Sequence, residues 1–143
     1  MTYYACIHEA APGDWLVRFY DIPEAITQGD SPEEAIANAS DCLEAALEGY
    51  IERGHALPAR ADVQPHEARP DYSVVEVAVA PALAARALLV DAMAAQHLSK
   101  VGLAQRMGRD EKVIRRIISG KGASLDLTLQ ALRAVGIRAA LAA

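Results

Sequence analysis

Hydrophobic and polar positions alternate at the start of the chain, and this pattern is typical of β-strands with one buried face. The segment 2–9 (TYYACIHE) alternates in this way. A turn signal at residues 12–14 (PGD) separates it from 15–20 (WLVRFY), so residues 2–20 predict a hairpin. Residues 26–28 (ITQ) predict a short third strand.

The next segment changes to helical spacing. Ser31 is a favourable N-cap, Pro32 suits the first helical position, and Glu34 is placed to complete a capping box. We therefore predict a helix over residues 32–53, ended by Gly54, that covers one face of the sheet. Its predicted apolar stripe consists of Ile36, Ala39, Leu43, Ala46, Leu47, Tyr50 and Ile51.

The segments that follow complete the order of elements. Residues 55–72 show no periodicity and predict a long surface loop, whereas 73–79 (SVVEVAV) predict a last strand. Pro81 opens a predicted helix over 81–96 that belongs to a second, all-helical part. The predicted fold class is α+β, with a β-β-β-α-β unit over residues 1–80 and a helical unit over 81–143.

Residues 98–120 (LSKVGLAQRMGRDEKVIRRIISG) predict two short helices joined by a tight turn. Gly108 suits a left-handed C-cap, and Asp110 can cap the second helix. That helix has an apolar side formed by Val113, Ile114, Ile117 and Ile118. Its solvent-facing side carries Lys112, Arg115 and Arg116.

A small helix with a cationic face fits the major groove of DNA. The alternative is a solvated helix surface on which Glu111 simply pairs with Arg115 at i, i+4.

The wider segment 82–138 resembles the Cro and phage-repressor helix-turn-helix family. The matching stretches are LAQRMG at 103–108, VIRRIISGK at 113–121 and SLDLTLQALRAVGI at 124–137. The departures are Gly102 and the pair Ile118–Ser119, where the family commonly has polar or acidic residues. The resemblance implies that the helix over Asp110–Ile118 enters the major groove.

This placement assigns candidate DNA-binding residues. The groove is expected to receive Glu111, Lys112, Arg115 and Arg116. The DNA backbone is expected to meet Arg109, Ser119 and Lys121, together with Lys100 at the start of the preceding helix.

The N-terminal half resembles the HicB antitoxin family, through RFYDIPEAITQGDSPEEAIANASDCLEAAL at 18–47 and GHALPA at 54–59. Glu24 departs from the family, which commonly has glycine after the proline. The resemblance implies a partial ribonuclease-H-like fold without a nuclease site. It also implies an antitoxin that silences a small basic HicA-like mRNA-cleaving toxin and represses its own operon. The toxin-contacting residues remain unassigned.

Charge is distributed unevenly between the halves. Residues 1–70 carry four basic and thirteen acidic side chains, a net charge of −9, whereas residues 71–143 carry ten basic and six acidic ones, a net charge of +4. A basic half suits nucleic acid, and an acidic half suits a cationic protein. The alternative is that the acidic excess only maintains solubility.

Composition indicates a cytoplasmic protein. Hydrophobic residues make up 52% of the chain, which is enough for a core. The N-terminus lacks a basic n-region, so we expect no secretory signal, and the apolar run 77–95 contains Pro81, Arg86 and Asp91, so we expect no membrane span. Cys6 and Cys42 fit buried thiols in a reducing compartment.

We expect no catalytic residues, cofactor or metal. Glu9, Asp14, Asp21 and Asp30 lie on or near predicted strands, and a metal-dependent nuclease would need several such acids to converge. Turn chemistry explains most of them instead. The four histidines form no zinc-ligand spacing with the cysteines.

The sequence therefore predicts an antitoxin that pairs as a homodimer or larger and binds a HicA-like toxin and operator DNA. The alternative is a helix-turn-helix repressor whose N-terminal unit senses a small ligand or only oligomerises.

Overall fold

The computed structural model describes residues 1–60 and 71–138. The predicted order of strands and helices is confirmed, and the α+β class with it. The middle of the predicted surface loop and the last residues of the helical unit lie outside the described residues. The elements are β1 (Thr2–Ala11), β2 (Asp14–Phe19), β3 (Ile26–Gly29), α1 (Pro32–Glu52), β4 (Ser73–Ala78), α2 (Pro81–Ala95), α3 (Lys100–Met107), α4 (Glu111–Ser119) and α5 (Leu125–Ala134).

The chain divides into two compact units. One comprises Met1–Leu47 and Pro58–Val79, and the other comprises Glu48–Leu57 and Ala80–Ala143. The boundary falls inside α1, so the last turn of this helix belongs to the helical unit.

The strands of the first unit form one antiparallel sheet in the order β3-β2-β1-β4. The predicted hairpin is present, and its turn contains Gly13 at a φ of +75°. Pairing is irregular between Glu9 and Ala11, where β1 extends beyond the predicted strand.

The core of this unit lies between one face of the sheet and α1. Alternate strand residues such as Ala5 and Val17 are fully buried. The buried residues of α1 recur every four positions, which keeps them on one side of a helix. Within this unit they are Ala35, Ala39, Leu43 and Leu47.

The predicted place of Ile36 in this stripe is wrong, because 41% of its surface is exposed. Ala35 takes the buried position instead. The reason is close approach between the end of β3 and the start of α1, since a Cβ at Gly29 would lie 2.5 Å from the Ala35 backbone nitrogen. Glycine at position 29 permits that approach of the two backbones, and Ala35 lies on the buried side of the helix there.

The start of α1 is capped largely as predicted. The Ser31 hydroxyl accepts a hydrogen bond from the Glu34 backbone N–H at 3.1 Å. The Glu34 carboxylate accepts from the Asp30 N–H at 2.8 Å, one residue before the position of an ideal capping box.

Side chains of α1 also cover the outer edge of β3. The Asn38 amide donates to the Gln28 carbonyl at 2.9 Å, and the Cys42 thiol donates to the Ile26 carbonyl at 3.7 Å. An open strand edge is a template for unwanted pairing, and these contacts occupy two of its acceptors.

The helical unit has a separate apolar core to which α2, α3, α4 and α5 all contribute. Leu89, Leu103, Ile114, Ile117 and Leu132 are fully buried there. Each of the four helices therefore supplies at least one side chain that is removed from water, and this burial is what orients α3 and α4.

Candidate nucleic-acid interface

The turn between α3 and α4 has the two caps that the sequence predicts, Gly108 and Asp110. The Ser99 hydroxyl accepts from the Gly102 N–H at 3.0 Å and begins α3. Gly108 ends it in the left-handed conformation, at a φ of 62°. Asp110 then begins α4 by accepting from the Lys112 N–H at 3.1 Å. The two helices are therefore separated by three residues whose backbone is fixed at both ends.

The sides of α4 differ sharply in burial. Ile114 and Ile117 are fully buried, while Val113 and Ile118 are half-buried. Lys112, Arg115 and Arg116 are exposed on the other side, as predicted. Burial of the apolar side thus determines which side meets solvent.

The other candidate residues are also accessible. Lys100 is the first residue of α3, and Arg109 lies in the turn between the helices. Ser119 ends α4, and Lys121 follows its C-cap glycine. All four are exposed, whereas Glu111 is half-buried. The structure thus places every candidate on α3, on α4 or in the turns beside them.

Glu111 and Arg115 form the ion pair that the alternative interpretation of this helix requires. The Arg115 Nη2 lies 3.0 Å from Glu111 Oε1, and 66% of the arginine side chain is exposed. An exposed i, i+4 pair stabilises a helix by only about 0.3–0.5 kcal/mol. Such a pair does not prevent Arg115 from turning to an anionic ligand.

Sequence reasoning missed Arg86, which is 7% exposed in the middle of α2. Its guanidinium forms a salt bridge with Glu48 and donates to the backbone carbonyl of Ile118, in α4. A single charged residue within the apolar run ALAARALLV was the available signal, because an arginine is seldom fully buried unless it is paired.

Two of the candidate nuclease acids, Glu9 and Asp30, lie at local structural features of the first unit. Glu9 accepts from the Gly13 N–H at 3.0 Å and holds the hairpin turn. Asp30 lies beside the cap of α1. Within residues 1–60 and 71–138, no group of three or more His, Cys, Asp or Glu residues is placed to hold a metal ion.

A helix that spans a membrane must be long and apolar. Among the described residues, no helix is both long enough and apolar enough to cross a membrane.

The sequence is similar to one protein family and to several known proteins. The family described as the HicB-like antitoxin of bacterial toxin–antitoxin systems matches residues 2–95. Antitoxin HicB of Escherichia coli (strain K12) is 30% identical over 137 residues, which are 95% of this chain and 94% of that protein. Antitoxin HicB 1 of Photorhabdus laumondii subsp. laumondii is 35% identical over 117 residues, which cover 82% of this chain and 70% of that protein. Antitoxin HicB 2 of the same organism is 35% identical over 123 residues, which cover 85% of this chain and 82% of that protein.

These three relatives are antitoxins. The chain belongs to the HicB-like antitoxin family.

Proposed function

We propose that this antitoxin neutralises a small HicA-like mRNA-cleaving toxin and represses its own operon by binding operator DNA. Residues 1–80 form the toxin-binding unit, a partial ribonuclease-H-like fold, and residues 81–143 form a helix-turn-helix unit. The observation that carries the antitoxin role is the family match, which spans the whole sheet and α1. The protein performs no catalysis of its own.

Charge supports the assignment of the toxin to the N-terminal unit. Residues 1–70 have a net charge of −9, and a toxin that binds RNA is expected to be basic. Complementary charge raises the association rate more than the final affinity. Association with the toxin is therefore expected to slow as salt rises.

The test measures cleavage of an RNA substrate by the purified toxin from the neighbouring reading frame, titrated with the full-length protein. We expect cleavage to stop near an equimolar ratio. A stable complex in which the toxin still cleaves at its full rate would contradict neutralisation. A metal-dependent RNA cleavage by this chain alone would contradict the non-catalytic role.

The DNA-binding role is supported by α4. Its two fully buried isoleucines lie beneath an exposed side with three cations, and a major groove admits a helix of this size. We propose that α4 is the recognition helix, with Lys112, Arg115 and Arg116 at the base edges. Lys100, Arg109, Ser119 and Lys121 contact phosphates.

Operator binding is tested by selecting DNA from a random library with the wild-type protein. We expect a palindromic site, because helix-turn-helix dimers contact half-sites spaced by about 34 Å, one turn of DNA. Enrichment of no sequence, or of single non-repeated sites, would contradict operator recognition by a dimer.

Two further properties follow from this proposal. The protein is a homodimer or larger, because one short recognition helix makes few contacts. It acts in the cytoplasm, where Cys6 and Cys42, both free thiols in the structure, stay reduced. A monomeric mass in sedimentation at micromolar concentration, with and without selected DNA, would contradict the assembly.

A further inference from the structure

A buried arginine caps the C-terminal end of α4. The Ile118 carbonyl accepts from Arg86 Nε at 3.0 Å and from Nη2 at 2.7 Å. Glu48 pairs with the same guanidinium through both carboxylate oxygens, and its Oε2 lies 2.9 Å from Nη2. One side chain of α2 thereby joins the last turn of α1 to the end of α4.

The Ile118 carbonyl needs a partner from outside its helix. It is one of the last four carbonyls of α4, which have no intrahelical donor. The next amide, Gly120 N–H, bonds to the carbonyls of Arg116 and Ile117. Arg86 therefore supplies a donor that the helix itself does not, and its positive charge lies at the negative end of the helix dipole.

Gly120 makes this cap sterically possible. Its φ of +72° is a conformation that favours glycine, and a Cβ there would lie 2.7 Å from the Arg86 guanidinium. The backbone after α4 thus passes directly against the arginine. A glycine at this position meets two requirements at once, the left-handed C-cap and the close approach of the cation.

We propose that Arg86, held by Glu48, is a positioning residue that fixes α4 for reading DNA sequence. This inference rests on the proposed role of α4 in operator binding. Arg86 is 7% exposed, so it is not available to a phosphate and acts only through the helix. Its loss consequently changes sequence preference without changing the number of phosphate contacts.

The experiment compares wild type with Arg86→Lys, Arg86→Met and Glu48→Gln on a DNA site selected by the wild-type protein and on a scrambled site. We expect Arg86→Met, which removes both hydrogen bonds to the Ile118 carbonyl, to reduce the preference for the selected site about tenfold. Arg86→Lys keeps the charge but loses the planar fork, and recovers only part of the preference. Glu48→Gln weakens the preference although it removes no group from α4.

Three controls separate positioning from other roles. The slope of log affinity against log salt stays at the wild-type value in Arg86→Met, because no phosphate contact is lost. Arg18→Met, which removes an exposed cation from the sheet, leaves the preference unchanged. Amide hydrogen exchange of Gly120 and Lys121 accelerates in Arg86→Met, while that of Leu103 in α3 does not.

The outcomes distinguish the two proposals. Wild-type preference and wild-type exchange in Arg86→Met would overturn the positioning role while operator binding stands. A fall in the salt slope by about one would make Arg86 a phosphate contact and would also overturn it. Uniformly faster exchange throughout the helical unit would show general destabilisation instead of positioning. If the wild-type protein enriches no DNA site, operator recognition itself is wrong, and with it the positioning role.

Discussion

His97 has a left-handed backbone, with a φ of 50°, and among the described residues it is the one non-glycine with a positive φ. It follows α2, and the Leu98 N–H beyond it donates to the Met93 carbonyl at 2.9 Å. This is the hydrogen bond of a helix C-cap in which glycine is the usual residue. The cap directs the chain from α2 into Ser99 and α3, so the conformation is retained although the side chain is exposed.

Substitutions at His97 test this backbone argument. The left-handed conformation costs an L-residue about 1–2 kcal/mol, and a β-branched residue is the least tolerated. Wild-type histidine already bears this cost, and a β-branched residue bears more of it, so we expect His97→Val to lower the free energy of unfolding by up to about 1 kcal/mol. His97→Gly is expected to have a higher free energy of unfolding than the valine variant, and one at least equal to that of wild type. Urea denaturation of the three proteins measures the order, and a valine variant as stable as the glycine variant would contradict it.

Cys42 is a second residue whose surroundings alter its chemistry. Cys42 is half-buried, unlike Cys6, which is buried as expected, and partial burial raises the pKa of the Cys42 thiol above its ordinary value. The thiolate is the reactive form, so less of it is present at a given pH in the folded protein than in the unfolded chain.

Alkylation of Cys42 should therefore be slow in the folded protein. We expect iodoacetamide at pH 8 to modify it more slowly than in the same protein in urea, and the modification to accelerate only at a higher pH than for a free cysteine. Mass spectrometry of the peptide that contains Cys42 measures both rates. Equal rates in the folded and unfolded protein would contradict the effect of burial.

Among the elements, α4 is the one on which the DNA-binding proposal depends. Its sequence specifies much of its own structure, because Asp110 and Gly120 determine its ends and the three-residue spacing of Ile114 and Ile117 determines its buried side. These signals are local, and the exposed positions of Lys112 and Arg116 were accordingly predictable.

Features that depend on distant residues were not predictable in the same way. Arg86 is separated from Ile118 by 32 residues and from Glu48 by 38. Spacing alone made Ile36 as good a member of the α1 stripe as its neighbours. The structure buries Ala35 instead, where the backbone at the start of α1 passes close to Gly29 at the end of β3.

The exposed cations are expected to divide by role. Lys112→Ala or Arg116→Ala should relax sequence preference and cost about 1–3 kcal/mol where either residue makes a good base contact. Lys100→Ala or Lys121→Ala should weaken selected and scrambled DNA alike, and lower the salt slope by about one each.

Fluorescence anisotropy with both DNAs over a range of salt concentrations separates the two classes. Arg18→Ala serves as the control, since it removes one exposed positive charge outside the helical unit. The assignment of base and phosphate contacts would be wrong if all four variants lost affinity with unchanged preference and unchanged slope.

At the scale of the whole molecule, the two compact units have cores of their own and opposite charge in their sequences. Sheet residues and the first turns of α1 form one core, and the four later helices share the other. Periodicity and charge predict a boundary at residue 80. The assignment of the last turn of α1 to the helical unit required the structure, where Glu48 in that turn pairs with Arg86 of α2.

The central claim is that toxin neutralisation and operator binding belong to different units of one antitoxin. The most direct test is a single full-length protein carrying Lys100→Ala, Lys112→Ala, Arg116→Ala and Lys121→Ala. All four side chains are exposed, so the fold is expected to be retained. The variant is assayed for binding to selected DNA and for inhibition of RNA cleavage by the toxin. The account predicts loss of DNA binding with wild-type inhibition of the toxin. Normal DNA binding, or loss of both activities in a folded variant, would contradict it.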